Sequence, residues 1–304
     1  MEPVCVTGGD DKFFLHLLLL IASFRRHCPD RRLQVCDFGL DPRRRDYLAH
    51  HVDILPMPPA LREVPAVLYR KAALIDYLAG LSCEAVMWID TDTMLTADAP
   101  TELMDLAQQR GAELVCSAEP ETIESMIARL LRKGHASASE FATLVANAGL
   151  DGALPYLNSG MFICRSREFL AAWKDTAFAI PRHVLFEQNA FNLVAHRRPG
   201  LFPVEGAEWN CLDANLPGVR RATDGRWVDE RGRRVRLIHC TSDTGQFQER
   251  TITVTLNDAS GRFQGWLRVL TNPALRDLQI ELINIVARDL PLLAAHGLTE
   301  PSGS

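Results

Sequence analysis

The stretch that decides the fold is Ala85-Val86-Met87-Trp88-Ile89-Asp90-Thr91-Asp92. Its first five residues form an unbroken apolar run, which is typical of a strand that is buried on both faces of a sheet. Two carboxylates follow, separated by one residue. Side chains at positions i and i+2 of an extended chain point the same way, so we expect Asp90 and Asp92 to converge just beyond the strand.

Two converging carboxylates repel each other, and this repulsion raises a carboxyl pKa unless a cation lies between them. Oxygen ligands suit hard cations such as Mg²⁺ or Mn²⁺. The hypothesis is therefore that Asp90 and Asp92 bind a divalent ion. The alternative is that one of them caps a helix while the other is solvated, and an isolated Asp-x-Asp motif is too short to decide.

Size and composition narrow the class of protein. The chain has 304 residues, of which 47% are hydrophobic and 23% charged, as in globular proteins with a sizeable core. This length allows one large α/β domain or two smaller domains. The net charge of −5 gives no support for a nucleic-acid-binding protein, which should be basic.

The eight cysteines are scattered without a Cys-x-x-Cys pair, and several lie in apolar runs such as Val4-Cys5-Val6. This usage predicts buried free thiols in a reducing compartment, not a disulfide framework or a zinc site. The N-terminus does not resemble a signal peptide, and the apolar run at 15–22 is too short to cross a bilayer. We therefore expect a cytoplasmic protein without a transmembrane segment.

The first ninety residues alternate between strand and helix patterns. Strands are predicted at 3–7, 33–36, 52–55 and 85–89, with helices at 13–27, from Asp41 onwards and at 67–79. This alternation predicts a mostly parallel, doubly wound sheet, in which ligands bind at the carboxyl ends of the strands. Asp10, Asp37 and the Asp90/Asp92 pair lie at such ends.

The rest of the chain is predicted to extend the same sheet. It contains a strand at 114–117, a turn at 155–160 that leads into a strand at 161–164, and a hairpin at 226–238. Beyond residue 243 the pattern weakens to a strand at 251–256 and a long helix at 273–295. We predict one domain over residues 1–245 and a C-terminal helical extension over residues 246–304.

Four polar features favour the metal hypothesis over its alternative. His239 directly follows an apolar run, and a strand-end His is well placed to complete an oxygen-rich metal site. Arg70 and Lys71 begin the helix before the Asp strand and could meet phosphates. The segments 158–160 and 187–189 carry clustered amide, hydroxyl and carboxylate groups. Each feature alone also has an ordinary interpretation as a structural His, a solvated helix face, a turn or a helix cap.

Taken together and in this order, these stretches resemble the nucleotide-sugar glycosyltransferases of the GT-A fold. The most similar group is glycosyltransferase family eight, which includes glycogenin and bacterial lipooligosaccharide galactosyltransferases. The matching stretches are Asp90-Thr91-Asp92, Leu157-Asn158-Ser159-Gly160-Met161, Glu187-Gln188-Asn189, Tyr69-Arg70 and Ile238-His239. The second of these resembles the family's turn near the donor sugar, and the third its Asp-Gln-Asp motif.

The resemblance implies a GT-A α/β fold with a C-terminal helical appendage, and transfer of a hexose from a nucleotide diphosphate sugar to an acceptor hydroxyl. Uridine is the default base, and the family retains the anomeric configuration. The implied metal ligands for Mn²⁺ or Mg²⁺ are Asp90, Asp92 and His239. The implied catalytic residues are Gln188 and Glu187. The implied substrate-binding residues are Thr7, Gly8, Asp10, Asp37, Arg70, Lys71, Asp90, Thr91, Asn158, Ser159, Gly160 and Asn189. The nucleoside would lie over Thr7 to Asp10 and Asp37.

The sequence departs from the family after the metal His. There the family has Gly and then Lys-Pro-Trp, whose Lys grips the diphosphate, whereas this chain reads Cys240-Thr241-Ser242-Asp243-Thr244-Gly245-Gln246-Phe247. Arg70, Lys71 or Arg250 could substitute. The departure keeps a catalytically weak nucleotide-sugar-binding protein open as an alternative.

A second alternative is a haloacid-dehalogenase-type phosphohydrolase, although that motif calls for Thr or Val where this chain has Met94. The C-terminal helix carries an apolar stripe and a nearly neutral opposite face, so we expect it to pack on the catalytic domain or on a second copy of the chain. The implied acceptor is a glycan, a lipid-linked glycan or a protein. The residues of the stripe are Leu275, Leu278, Leu282, Ile285 and Val286.

Overall fold

The computed structural model describes residues 2–64, 66–212, 215–240 and 248–301, the side chains of 248–250 excepted. The strands are β1 (Val4–Gly9), β2 (Leu33–Asp37), β3 (Asp53–Leu55), β4 (Val86–Ile89), β5 (Thr93–Leu95), β6 (Leu114–Thr122), β7 (Pro155–Cys164), β8 (Leu201–Glu205), β9 (Arg220–Arg221), β10 (Trp227–Val228), β11 (Leu237–His239), β12 (Gln248–Asp258) and β13 (Gly261–Leu270). The helices are α1 (Phe14–His27), α2 (Pro42–Leu48), α3 (Val67–Ala72), α4 (Leu74–Tyr77), α5 (Ala99–Arg110), α6 (Ile123–Arg132), α7 (Ala138–Asn147), α8 (Arg167–Ala179), α9 (Phe186–Ala195), α10 (Gly206–Trp209), α11 (Pro273–Ala287) and α12 (Leu290–Ala295).

Seven strands form the central sheet in the order β3-β2-β1-β4-β7-β6-β8. The pairs β1–β2, β2–β3 and β6–β8 are parallel, whereas β6–β7 is antiparallel. Helices separate the parallel strands β1, β2 and β3 along the chain, as crossover connections require. The predicted α/β class, with a mostly parallel sheet flanked by helices, is confirmed.

Burial in the first half of the chain follows the hydrophobic pattern. All four residues of β4 are buried, as its unbroken apolar run predicts. Helix α1 is buried from Phe14 to Phe24, and only its last turn carries exposed basic residues. The predicted absence of a disulfide framework and the predicted burial agree with the structure, in which all eight cysteines are free thiols and all but Cys83 are buried.

The chain divides into two compact units. The first unit comprises the first four residues, Met57–Trp88 and Pro100–Gly206. One of its apolar clusters is built from α6, α7 and neighbouring residues. Its buried members are Ile123, Met126, Leu130, Ala138, Phe141, Val145, Tyr156 and Leu193.

The second unit comprises Cys5–Pro56, Ile89–Ala99 and Ala207–Ser304. In it, helix α1 packs against both β13 and α11. Four residues of the predicted apolar stripe of α11, namely Leu275, Leu278, Leu282 and Val286, are buried. Of the two packings expected for this helix, on its own chain or on a second copy, the structure shows the first.

The predicted turn at 155–160 is wrong, because these residues belong to the single strand β7. The β6–β7 pairing shifts register, so that Phe162 lies opposite Cys116 while Asn158 lies opposite Ser117. The extra residues form an irregularity, in which the Gly160 amide donates to Asn158 Oδ1 at 2.7 Å. Small polar residues thus mark a bulge within a strand, where their backbone groups still find partners.

The C-terminal pattern was predicted incompletely. The hairpin predicted at 226–238 is confirmed at its turn, where Val228 lies opposite Arg234 in an antiparallel bridge and the Val235 amide donates to the Trp227 carbonyl at 2.9 Å. Beyond the turn its two arms separate, because β10 pairs with β9 and β11 pairs with β5. The helical extension begins with the antiparallel hairpin β12–β13, of which the sequence pattern indicated only one strand. The domain boundary at residue 245 lies outside the described residues, and the division into 1–245 and 246–304 stays a prediction.

Candidate functional site

The carboxylate–histidine cluster consists of Asp90, Asp92 and His239 and lies in the second unit. Strand β11 pairs with β5 so that His239 is opposite Thr93, which directly follows Asp92. His239 Nε2 is 3.2 Å from Asp92 Oδ1 and 3.8 Å from Asp90 Oδ2. Ligand atoms of the three residues lie within 4.8 Å of one another. The predicted convergence of these side chains is confirmed.

A buried amide orients the imidazole of His239. The Nδ1 atom is 3.1 Å from Asn210 Oδ1, and Asn210 is fully buried. Because an amide oxygen can only accept, Nδ1–H donates to it, and Nε2 is the ring nitrogen that faces the carboxylates. Histidines that bind metals are held in this way through their other ring nitrogen.

The electrostatic environment keeps Asp92 ionised. Burial raises the pKa of its carboxyl, but the attraction of His239 and Arg268 outweighs burial and holds this pKa well below its usual range. Arg268 Nη1 donates to Asp92 Oδ2, and the Cys240 amide donates to the Asp92 carbonyl at 2.8 Å. Two carboxylates and one imidazole nitrogen form an oxygen-rich donor set, which fits Mn²⁺ or Mg²⁺.

The ends of β1 and β4 are joined by hydrogen bonds. Thr91 Oγ1 donates to the Gly8 carbonyl and lies 3.4 Å from Thr7 Oγ1. A Cβ at Gly8 would lie 2.0 Å from the Phe38 ring, so only glycine fits there. The glycine is therefore required for packing, whether or not a nucleoside binds above it.

The other two predicted nucleoside contacts stabilise turns in this structure. Asp10 Oδ1 accepts from the Phe13 amide at 2.9 Å, just before α1. Asp37 Oδ1 accepts from the amides of Gly39 and Leu40, both at 2.8 Å. Their nucleoside contacts stay predictions.

The first unit contains a second polar group, the amide–carboxylate cluster, built from Glu119, Asn158, Ser159 and Gln188. Asn158 Nδ2 and Gln188 Nε2 both donate to Glu119 Oε1, at 2.9 and 3.3 Å. Gln188 Oε1 accepts from the Ser159 amide at 3.2 Å. The bulge of β7 and the start of α9 are thereby joined to Glu119 within β6.

Lys71 and Glu187 form a buried ion pair beside this cluster. Lys71 Nζ is 3.7 Å from Glu187 Oε1 and donates to Ser159 Oγ at 3.0 Å. The exposed fractions of the two residues are 6% and 3%. A solvated helix face is therefore wrong for Lys71. Arg70 donates to the Val64 carbonyl at 3.2 Å.

Asn189 is fully buried and bonded at both ends of its amide. Its Oδ1 accepts from the Tyr156 hydroxyl at 2.8 Å, and its Nδ2 donates to the Val184 carbonyl at 3.0 Å. These bonds hold the start of α9, where Leu185 adopts a left-handed φ of 55°. A donor contact of Asn189 stays a prediction.

Sequence reasoning missed Glu119 and Arg268. Glu119 carries a usable signal, since it lies just beyond the predicted strand at 114–117, where ligands of such sheets bind. Arg268 carries none, because its strand β13 was not predicted. The segment that departs from the family motif, 241–247, and the side chain of Arg250 lie outside the described residues.

Comparisons with known proteins bear on the fold. No protein-family profile matches the chain, and no curated protein sequence matches it either. The chain is similar to the apo structure of the bifunctional glycosyltransferase WbbM, with a TM-score of 0.52 and 14% identity. This match covers 80% of this chain and 46% of WbbM, so the chain spans about half the length of that protein.

Two further solved structures are similar. One is the galactosyltransferase LgtC in complex with donor and acceptor sugar analogues, with a TM-score of 0.46, 15% identity and coverage of 77% of this chain and 86% of LgtC. The other is the glycosyltransferase GlyE of Streptococcus pneumoniae TIGR4, with a TM-score of 0.48 and 12% identity. This match covers 100% of this chain and 66% of GlyE.

The fold is that of the GT-A glycosyltransferases, and this part of the prediction is confirmed. The phosphohydrolase alternative is not favoured, since the structure that carries the comparison is a glycosyltransferase. Among the residues that the structure describes, no helix is both long enough and apolar enough to span a membrane.

Proposed function

We propose that this chain is a metal-dependent glycosyltransferase that moves a hexose from a nucleotide diphosphate sugar, by default a UDP-sugar, to an acceptor hydroxyl with retention of configuration. The observation that carries the proposal is the carboxylate–histidine cluster at the carboxyl end of β4 in a GT-A fold. Cleavage of the anomeric bond leaves negative charge on the diphosphate. A divalent ion held by Asp90, Asp92 and His239 would stabilise that charge as a Lewis acid.

Residues at the carboxyl ends of the strands and on α3 would bind the donor. We assign the nucleoside to Thr7, Gly8, Asp10 and Asp37, and the diphosphate to Thr91, Arg70 and Lys71. The buried Lys71 ammonium would supply a positive charge that is little screened by solvent, because it is 6% exposed.

The sugar is assigned to the amide–carboxylate cluster with Glu187, Gly160 and Asn189. Glu119 accepts from the amides of both Asn158 and Gln188, so it fixes the orientation of two groups that would bind sugar hydroxyls. Preoriented groups of this kind lower the barrier because they need no reorganisation during the reaction. We name no nucleophile, and the proposed chemistry is a same-face displacement through an ion pair.

The assignments outside the donor site are as follows. The acceptor is a glycan, a lipid-linked glycan or a protein, and the location is the cytoplasm. A homodimer through the C-terminal helix is not supported, because the apolar face of α11 is buried within this chain.

Donor binding provides the first test. Nucleotide sugars added with Mn²⁺ should raise the melting temperature, because a ligand that binds the folded state stabilises it. Asp92→Asn should abolish both that shift and the transfer or hydrolysis of the donor, whereas Asp105→Asn, at an exposed position on α5, should leave both unchanged. Full activity and unchanged metal dependence in Asp92→Asn would refute the proposed function.

A second test separates catalysis from binding. Gln188→Ala should lower kcat more than it weakens UDP binding, because a contact to the reacting sugar acts in the transition state. Binding of UDP-sugars without any turnover would favour the nucleotide-sugar-binding alternative.

A further inference from the structure

Arg268 is built into the carboxylate–histidine cluster from the C-terminal hairpin. Its guanidinium carbon is 5.0 Å from the ring centre of Phe13 and 5.2 Å from that of Trp266. Its backbone amide donates to His16 Nε2 at 3.3 Å. The side chain is only 11% exposed. Two aromatic rings and a buried His therefore fix its position.

The guanidinium occupies one oxygen of a proposed metal ligand. Arg268 Nη1 donates to Asp92 Oδ2 and to the Cys240 carbonyl, the latter at 2.9 Å. His239 Nε2 lies beside the other oxygen of Asp92. The Arg268 Nε is buried and has no hydrogen-bond partner among the residues that the structure describes. One N–H of the guanidinium therefore still needs an acceptor.

The guanidinium of Arg268 reduces the net negative charge of the carboxylate–histidine cluster. Asp90 and Asp92 carry two negative charges, and Arg268 neutralises one of them in a setting where solvent screens little. A free divalent cation is thus attracted less strongly and is repelled by a fixed positive charge. A diphosphate brings its own negative oxygens, which a guanidinium binds through charge-assisted hydrogen bonds.

We propose that Arg268 makes the carboxylate–histidine cluster bind a divalent ion together with a diphosphate in preference to the free ion. The guanidinium lowers the affinity for the free ion and raises the affinity for the ion–diphosphate complex. The inference rests on the proposed function in that it places a diphosphate at this cluster.

The test uses MnCl₂ alone and the preformed manganese–pyrophosphate complex, each titrated calorimetrically into the intact chain. Arg268→Met should bind free Mn²⁺ about tenfold more tightly and the pyrophosphate complex about tenfold more weakly than the wild type, within the usual range of coupling between ligands. Arg268→Lys keeps the charge and should resemble the wild type with free Mn²⁺. Arg262→Met, on the same strand and outside the cluster, is the matched control.

Opposite shifts for the two ligands support the proposal. Affinities that change in the same direction, or not at all, overturn it. The wild type supplies an independent measurement should Arg268→Met fail to fold: the pyrophosphate complex should bind it at least about tenfold more tightly than free Mn²⁺ does, and equal affinities would also overturn the proposal.

A thermal-shift and turnover experiment with nucleotide sugars distinguishes a failure of this inference from a failure of the proposed function. Opposite shifts without any stabilisation by nucleotide sugars would leave the role of Arg268 intact and refute glycosyl transfer. Turnover of a UDP-sugar without the opposite shifts would refute the role of Arg268 alone.

Discussion

Replacing Lys71 by Met is expected to destabilise the folded chain by about 3–5 kcal/mol, because it removes the cation beside a buried carboxylate. Lys71 and Glu187 are 6% and 3% exposed, and their charged atoms are 3.7 Å apart. Folded domains are stable by only about 5–15 kcal/mol, so a loss of this size is large. Urea denaturation followed by circular dichroism measures it.

The matched control is Lys174→Met. Lys174 Nζ lies closer to its partner, 2.8 Å from Asp76 Oδ1, but the two side chains are 32% and 26% exposed. Solvent screening should limit that loss to less than about 1 kcal/mol. The shorter distance at Lys174 would predict the larger loss of stability for Lys174→Met, whereas burial predicts the larger loss for Lys71→Met. A smaller loss of unfolding free energy for Lys71→Met than for Lys174→Met would refute the reasoning from burial.

A double variant completes the cycle. Lys71→Met combined with Glu187→Leu removes both charges, so no uncompensated carboxylate is left in the interior. We expect the double variant to be more stable than Lys71→Met alone. Comparison of the double variant with the single variants Lys71→Met and Glu187→Leu gives the coupling free energy between the two side chains. Additive losses would mean that the two side chains do not interact.

Three further predictions concern other buried groups. Burial lowers the pKa of His16 from 6.5 to about 4, so between these pH values only the unfolded chain binds a proton at this residue. The free energy of unfolding should therefore fall by about 3 kcal/mol as the pH decreases from 6.5 to 4. In His16→Gln, the plot of the urea midpoint against pH should be flatter over that range. Glu119→Gln should lower kcat about tenfold in steady-state assays by loosening Gln188, with calorimetric UDP affinity unchanged. Gly8→Ala should cost about 1–3 kcal/mol by overpacking against Phe38, and an unaltered melting temperature would contradict this.

The local sequence pattern predicted the central sheet, but it failed where pairing between distant strands determines the structure. The apolar run before Asp90 predicted a buried strand, because a strand covered on both faces needs no polar alternation. Asn158-Ser159-Gly160 has the composition of a turn, yet β6 supplies partners on both sides and keeps these residues in β7. Pairing between distant segments outweighs turn chemistry there.

The candidate site was predictable to the extent that its residues follow strands of the sheet. Asp90, Asp92 and His239 each stand at a strand end, so sequence position alone brought them into one hypothesis. Arg268 reaches Asp92 from within a strand 176 residues away, and no local signal marks such a residue. Side chains that enter a site from the middle of an unpredicted element are found only in the structure.

The packing of α1 against α11 has a consequence for synthesis on the ribosome. Arg26 pairs with Glu281 at 3.0 Å, across 255 residues of chain. Ribosomes add about 5–20 residues per second, so roughly 10–50 s pass between the synthesis of α1 and the synthesis of α11, the helix that covers its apolar surface. During that interval a nascent chain exposes a helix of leucine, isoleucine and phenylalanine, which is the kind of segment that chaperones bind.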